Sequence, residues 1–216
     1  MQIKICGLMR SEQLQGVLAL EPNYVGFICV PRSPRYLTPQ QLGDLWRSRP
    51  PDSGKTQGVG VFADADLETI AATLAQAPLE GIQLHGGESV AFCRQVKQRW
   101  PDVQVIKALR IRGEEDLAQA VAYGEGVDAL LLDAYHPQQL GGTGVTLDWE
   151  ALGTWRSPVP WFLAGGLTPD NVAEALGQVQ PDGVDVSSGV ERSPGNKDLH
   201  RVAAFIQAVR SQSLVL

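Results

Sequence analysis

Val159-Pro160-Trp161-Phe162-Leu163-Ala164-Gly165-Gly166-Leu167-Thr168-Pro169-Asp170-Asn171-Val172-Ala173-Glu174-Ala175-Leu176-Gly177-Gln178-Val179 reads as one strand, one glycine turn and one helix. The strand, 159–164, is a short apolar run with no alternation. That is how a strand buried on both faces reads. Val172, Ala175, Leu176 and Val179 fall at i, i+3, i+4 and i+7, one face of a helix. Thr168 before Pro169 supplies an N-cap hydroxyl followed by a proline suited to a first helical turn. The next apolar run, 183–186, begins the same cycle again.

Working outward, the cycle recurs along the whole chain. Apolar, β-branched runs occupy 3–6, 24–30, 58–62, 81–84, 103–109, 129–133, 159–164 and 183–186. Helical spacing lies between them, as in Leu67, Ile70, Ala71 and Leu74, and in Leu199, Val202, Ala203 and Ile206. Thr38-Pro39 repeats the helix-start signal. Eight strand-plus-helix units in 216 residues predict an α/β chain folded as a TIM (β/α)8 barrel, a single domain over 1–216. An open doubly wound sheet is the alternative, disfavoured by the number of strands. The stretch 49–56 reads as a loop rather than a boundary.

Composition narrows the function. Net charge is −6, which argues against a nucleic-acid-binding role but leaves room for phosphate held by backbone amides. Three cysteines, Cys6, Cys29 and Cys93, form no disulfide framework and fit a reducing cytoplasm. No apolar run is long enough to span a membrane, and the N-terminus has no signal-peptide pattern. Glycine is abundant, with 23 residues, so the backbone must turn sharply or approach something closely at many points.

In this fold catalytic groups sit where strands end. Strand one ends in Cys6-Gly7, and strand two leads into Ser33-Pro34-Arg35. Strand four ends in Gln83-Leu84-His85-Gly86, strand five near Lys107 and Arg110, and strand six in Asp133. A loop with Gly141-Gly142-Thr143-Gly144 follows Asp133. Gly165-Gly166 and Ser187-Ser188-Gly189 follow strands seven and eight, where phosphate sites form in such barrels. By themselves they specify a sugar phosphate, a glycerol phosphate or a flavin mononucleotide. Cys6 and Asp133 suit proton transfer. Burial behind Ala129-Leu130-Leu131-Leu132 would raise the Asp133 carboxyl, and a positive field would lower the Cys6 thiol. A strand cysteine is also commonly just a small apolar residue. Arg35 has the planar fork that suits a carboxylate, though a solvated loop arginine is the plainer reading. His85 alone reads best as a satisfied strand-end histidine. Because it is the one histidine at a strand end, no metal is expected.

Taken together, these segments resemble the phosphoribosylanthranilate isomerase family of tryptophan biosynthesis. The resemblance runs through Lys4-Ile5-Cys6-Gly7, Gly26-Phe27-Ile28, Ser33-Pro34-Arg35-Tyr36, Gly60-Val61-Phe62, Gln83-Leu84-His85-Gly86 and Leu131-Leu132-Asp133. It continues through Gly141–Gly144, Ala164-Gly165-Gly166-Leu167, Gly183 to Glu191 and Pro194-Gly195-Asn196-Lys197-Asp198. It implies an Amadori rearrangement of N-(5-phosphoribosyl)anthranilate with Asp133 as general acid and Cys6 as general base. It further implies Arg35 on the anthranilate carboxylate, Asp185 on the sugar hydroxyls, and Gly165, Gly166, Ser188 and Gly189 on the phosphate. Gln83 and His85 would line the site. No cofactor or metal is implied, and the expected partner is the small phosphoribosyl substrate. Neither nucleic acid nor membrane is expected, and the chain is expected to be a monomer, with a homodimer as the other form. Met9 and Cys29-Val30 depart from the family pattern. Another phosphosugar barrel enzyme and a catalytically silent binding barrel are the competing readings. Loss of turnover without Cys6 separates both from the isomerase.

Overall fold

The computed structural model describes residues 1–51, 53, 55–134 and 149–212. Eight parallel strands close into a barrel in chain order, β1-β2-β3-β4-β5-β6-β7-β8. They are β1 Gln2–Cys6, β2 Tyr24–Ile28, β3 Gln57–Phe62, β4 Gly81–Leu84, β5 Gln104–Ile111, β6 Ala129–Ala134, β7 Trp161–Ala164 and β8 Gly183–Val186. Alternating with them are α1 Ser11–Leu18, α2 Pro39–Arg47, α3 Leu67–Gln76, α4 Val90–Arg99, α5 Glu114–Val121, α6 Trp149–Thr154, α7 Val172–Gln178 and α8 Leu199–Gln212. Closure brings β1 beside β8, with Gln2 opposite Gly183 and Lys4 opposite Asp185. The open-sheet alternative is thereby excluded. Among the described residues no helix is long and apolar enough to cross a membrane.

The period of two along each strand sorts the side chains. One set, including Ile3, Ile5, Val25, Phe27, Ile82, Leu130, Leu132 and Val184, joins the helices in the large outer core. The other set faces inward and builds a separate small cluster of Tyr24, Val59, Ile106, Ala108, Ala129, Leu131, Phe162 and Ala164. Tyr24 and Phe162 meet edge to face with ring centroids 5.7 Å apart. A Cβ on Gly183 would lie 2.5 Å from the Phe162 ring, so this glycine makes room for the plug of the barrel. Lys4, Cys6, Gln83, Asp133 and Asp185 stand in register above that plug.

Most expected elements are found, and the differences have local causes. The β2 strand stops at Ile28, and β5 runs on to Ile111, so Lys107 lies within a strand rather than at its end. Strand β7 starts after Pro160, which has no amide to give to a ladder. Thr38 caps α2 as its sequence implied, accepting from the Gln41 amide at 3.2 Å while the Gln41 side chain accepts from the Thr38 amide at 2.9 Å. Thr168 does not cap α7 directly. Its hydroxyl accepts from the Asp170 amide at 3.2 Å, and the helix begins only at Val172.

A feature absent from the strand pattern follows β8. A 3-10 turn, Ser188–Val190, leads into an antiparallel hairpin, β9 Glu191–Ser193 and β10 Asn196–Lys197. Its turn passes through Gly195 at φ +75°, a conformation that favours glycine.

Candidate active site

The upper, C-terminal end of the barrel holds a cavity of about 280 Å³. Cys6, Arg35, Gln83, His85, Asp133, Gly165, Gly166, Asp185, Ser188 and Gly189 all line it. These are all of the site residues expected from the sequence, brought from six strand ends to one place.

Cys6 ends β1 opposite Gly26. A Cβ on Gly26 would lie 2.6 Å from the Cys6 sulfur, so the missing side chain is what seats the thiol. Gly7 follows at φ +83°, and a Cβ there would meet Arg35 Cδ at 2.7 Å. The turn after β1 therefore has to be glycine for two reasons, its backbone conformation and the passage of the arginine stem. Inward from Cys6, Lys4 is fully buried and its Nζ donates to Asp185 Oδ1 at 2.7 Å.

The expected effect of a positive field on Cys6 is met only in part. Burial pushes the thiol up, and the Asp185 carboxylate adds to that. Lys4 and Lys197 pull it down, but the net direction is upward. Burial pulls the Lys4 ammonium down, yet the neighbouring Asp185 and Cys6 outweigh it and hold Lys4 above its ordinary value. The other two thiols lie away from the chemistry. Burial pushes Cys29 up to about 12 and Cys93 up to about 11.

On the far side, Asp133 is the penultimate residue of β6, three strands from β1 around the barrel. The burial expected for it is not found. Its side chain is 30% exposed and faces the cavity, because the apolar run before it points its leucines alternately into the barrel plug and the outer core. His85 Nε2 stands 3.9 Å from Asp133 Oδ2. Gln83 Nε2 lies 2.8 Å from His85 Nδ1, and the His85 amide donates to Phe62 O at 2.7 Å. The Gln83 amide can donate to Nδ1 in the tautomer that turns an Nε2 proton toward Asp133. Gln83 Oε1 is buried and has no hydrogen-bond partner among the described residues.

The loop after β2 is braced by hydrogen bonds from Ser33 N to Val30 O at 2.9 Å, Tyr36 N to Ser33 O at 3.1 Å and Arg35 N to Ser33 Oγ at 3.1 Å. It carries Arg35 over the cavity. There the guanidinium is already engaged: Nε donates to Glu191 Oε1 at 2.9 Å and Nη2 to Glu191 Oε2. Lys197 Nζ donates to the same Glu191 Oε1 at 2.8 Å and to Ser187 O at 3.1 Å. Burial alone would raise the Glu191 carboxyl, but the bonds from Arg35 and Lys197 outweigh it and hold it below the usual range.

Gly165 and Gly166 follow β7 at φ +95° and +65°, both in the region that favours glycine. The Ser188–Val190 turn packs on the residues that follow them, since a Cβ on Gly189 would overlap the Leu167 carbonyl oxygen. The two turns thus form one backbone-lined wall.

Sequence reasoning assigned no role to Lys4, Gly26, Glu191 or Lys197. A lysine between Ile3 and Ile5 in a buried strand was the available signal for the first. Lys107, also buried, donates to Glu88 Oε2 at 2.8 Å and to Gly86 O at 2.7 Å, tying down the loop that carries His85. His200 is exposed on α8, away from the cavity. Gly141 to Gly144 and His136 lie outside the described residues.

The family model for N-(5'phosphoribosyl)anthranilate (PRA) isomerase matches residues 3–208. The N-(5'-phosphoribosyl)anthranilate isomerase of Rippkaea orientalis is 50% identical over 213 residues, 99% of this chain and 98% of that protein. The corresponding protein of Synechocystis sp. is 53% identical over 203 residues, 94% and 93% of the two chains. A crystal structure of phosphoribosyl anthranilate isomerase in complex with reduced 1-(o-carboxyphenylamino)-1-deoxyribulose 5-phosphate superimposes with a TM-score of 0.84. It is 33% identical and covers 97% of this chain and 98% of its own.

Proposed function

The chain belongs to the N-(5'-phosphoribosyl)anthranilate isomerase family, and from that premise we propose how its cavity performs the family's reaction. The reaction is the isomerisation of N-(5'-phosphoribosyl)anthranilate to 1-(2-carboxyphenylamino)-1-deoxyribulose 5-phosphate, a step of tryptophan biosynthesis.

The substrate phosphate rests on the wall of Gly165, Gly166, Ser188 and Gly189, held by backbone amides. Asp185 accepts from sugar hydroxyls, with Gln83 and His85 lining the site. Arg35 meets the anthranilate carboxylate. Asp133 gives a proton to the ring oxygen, the ring opens, and the nitrogen lone pair forms the iminium at C1. Cys6 removes the proton from C2, and the C–H electron pair becomes the C1–C2 double bond of an enolamine. Reprotonation at C1 and loss of the C2 hydroxyl proton give the ketone. Only protons move, so acid and base groups suffice.

The high pKa direction of Cys6 fits this order of events. The thiol is held protonated in the empty site; the cationic iminium formed beside it favours the thiolate, the thiol's proton passing to solvent in the open cavity before the thiolate takes the C2 proton. The observation that carries the reading is that Cys6 and Asp133 line one cavity from β1 and β6, with the double glycine turn as its wall. The fall in fluorescence as generated phosphoribosylanthranilate is consumed, measured for wild type, Cys6→Ala and Asp133→Asn, tests it. Full activity in either variant overturns that residue's role.

The same reading extends to setting. Three free, buried thiols support a reducing cytoplasm. Among the described residues the large exposed apolar side chains are Met1, Val121 and Leu199, on three separate parts of the fold, which supports a monomer. Sedimentation at micromolar concentration tests that.

A further inference from the structure

We propose that Lys4 is a positioning residue for Cys6: its ammonium, pinned by Asp185 at 2.7 Å, is the fixed positive charge beside which the thiol releases its proton. The inference rests on the reading of Cys6 as the base.

Four observations on geometry carry it. Lys4 and Cys6 are two residues apart on one strand, so both side chains point into the barrel. Lys4 is wholly shielded from water, which makes its charge act at short range with little screening. Its partner Asp185 lies directly opposite in the β1–β8 register, so the pair is fixed by the strands themselves. The Gly26 notch confines the sulfur on its other side. A buried lysine with a carboxylate partner needs no further role to be stable. This one, however, also shares the inward face of β1 with Cys6, and its charge pulls the thiol down against the pull of burial.

Asp185 opposes the effect while holding the lysine in place. The charged groups around Cys6 are Lys4 on β1, Asp185 on β8, Lys197 on β10 and Arg35 in the loop after β2, while Cys29, just past β2, packs in the outer core. Lys4 and Lys197 favour the thiolate, whereas Asp185 disfavours it. The site thus has a tunable balance around one sulfur: an ammonium that favours the thiolate against a carboxylate that disfavours it. When substrate hydroxyls bind Asp185, part of the carboxylate's charge is taken up by their hydrogen bonds, and the balance shifts toward Lys4.

The test is the titration of the Cys6 thiol in the substrate-free protein, followed by thiolate ultraviolet absorbance against Cys6→Ala as blank. Lys4→Met is expected to raise the thiol pKa and lower the thiolate fraction near neutral pH about tenfold or more, one unit being tenfold. Asp185→Asn is expected to move it the opposite way. The double variant Lys4→Met/Asp185→Asn, which leaves no buried unpaired charge, is expected between the two. A merely structural Lys4 gives no opposed shifts. An unmoved titration in Lys4→Met, or shifts of the same sign in both single variants, overturns the proposal. Turnover by Cys6→Ala tests the base assignment separately, since the titration needs no catalysis.

Discussion

Glu191 grips Arg35 along one edge of its guanidinium, through Nε at 2.9 Å and through Nη2, from a hairpin 156 residues further along the chain. That leaves the Nη1 edge without a carboxylate partner among the described residues. The arginine is aimed rather than free, and its aim is held by a carboxylate that Lys197 also binds.

Removing that grip should loosen the arginine without touching the reacting atoms. Glu191→Ala is expected to raise KM several-fold with kcat little changed, and Glu191→Asp to recover part of the loss. Arg35→Ala is expected to raise KM about 10- to 100-fold, the scale of a charge-assisted hydrogen bond of about 1.5–3 kcal/mol. Steady-state kinetics decide both. An equal effect of Arg35→Ala on an analogue lacking the ring carboxylate contradicts the assignment.

Glu191 also has a pH signature. Its folded pKa is depressed, so the unfolded state binds more protons there, and its contribution is present above the unfolded carboxyl range of about 4.3. It is lost as pH falls through the lower folded value. Urea midpoints of wild type and Glu191→Gln should therefore differ most near neutral pH and converge in acid. A gap that widens on acidification has the wrong sign.

Cys6→Ala and Asp133→Asn should each lower kcat by about 10²- to 10⁴-fold while circular dichroism stays unchanged. Gly26→Ala should lower kcat as well, because its methyl needs the space of the sulfur. Since Cys6 is still present, reactivity of its thiol toward alkylation reports the displacement directly. Gly26→Ala with wild-type kcat and alkylation rate removes the notch from the argument.

Gly189→Ala is expected to act on the other end of the substrate. Its methyl meets a backbone carbonyl, Leu167 O, which cannot rotate aside as a side chain can. Inorganic phosphate, as a competitive inhibitor, should bind more weakly to this variant. Unchanged inhibition would show that the turn is not the phosphate wall.

Lys107→Met should destabilise the fold by about 3–5 kcal/mol, because it leaves the Glu88 carboxylate buried without its ion partner. The double variant Lys107→Met/Glu88→Gln should be less destabilised than the single. Chemical denaturation with all three proteins reads the difference, and additive losses contradict the pairing.

The barrel was legible because its strands announce themselves one at a time. The runs ending in Cys6, Asp133 and Ala164 each carry their own boundary in polar or glycine residues, and Thr38 carries its own cap. The β9–β10 hairpin was not legible. Glu191–Ser193 and Asn196–Lys197 are short and polar, with nothing apolar to bury, so no periodicity marks them. The environment of Asp133 was misjudged for a related reason. Leucines adjacent in sequence alternate between two cores, and neither core encloses the carboxylate at the strand end.

By itself, then, the sequence determined the βα repeat, the strand ends and the chemical types available there, since backbone period and turn chemistry are local properties. Barrel closure decided the rest. It set Lys4 against Asp185 across 181 residues and brought the Arg35 fork to Glu191. It also placed Cys6 deep enough for burial to outweigh two lysines. Such pairings depend on which strands meet and how much water they exclude, and those quantities exist only once the chain has closed on itself.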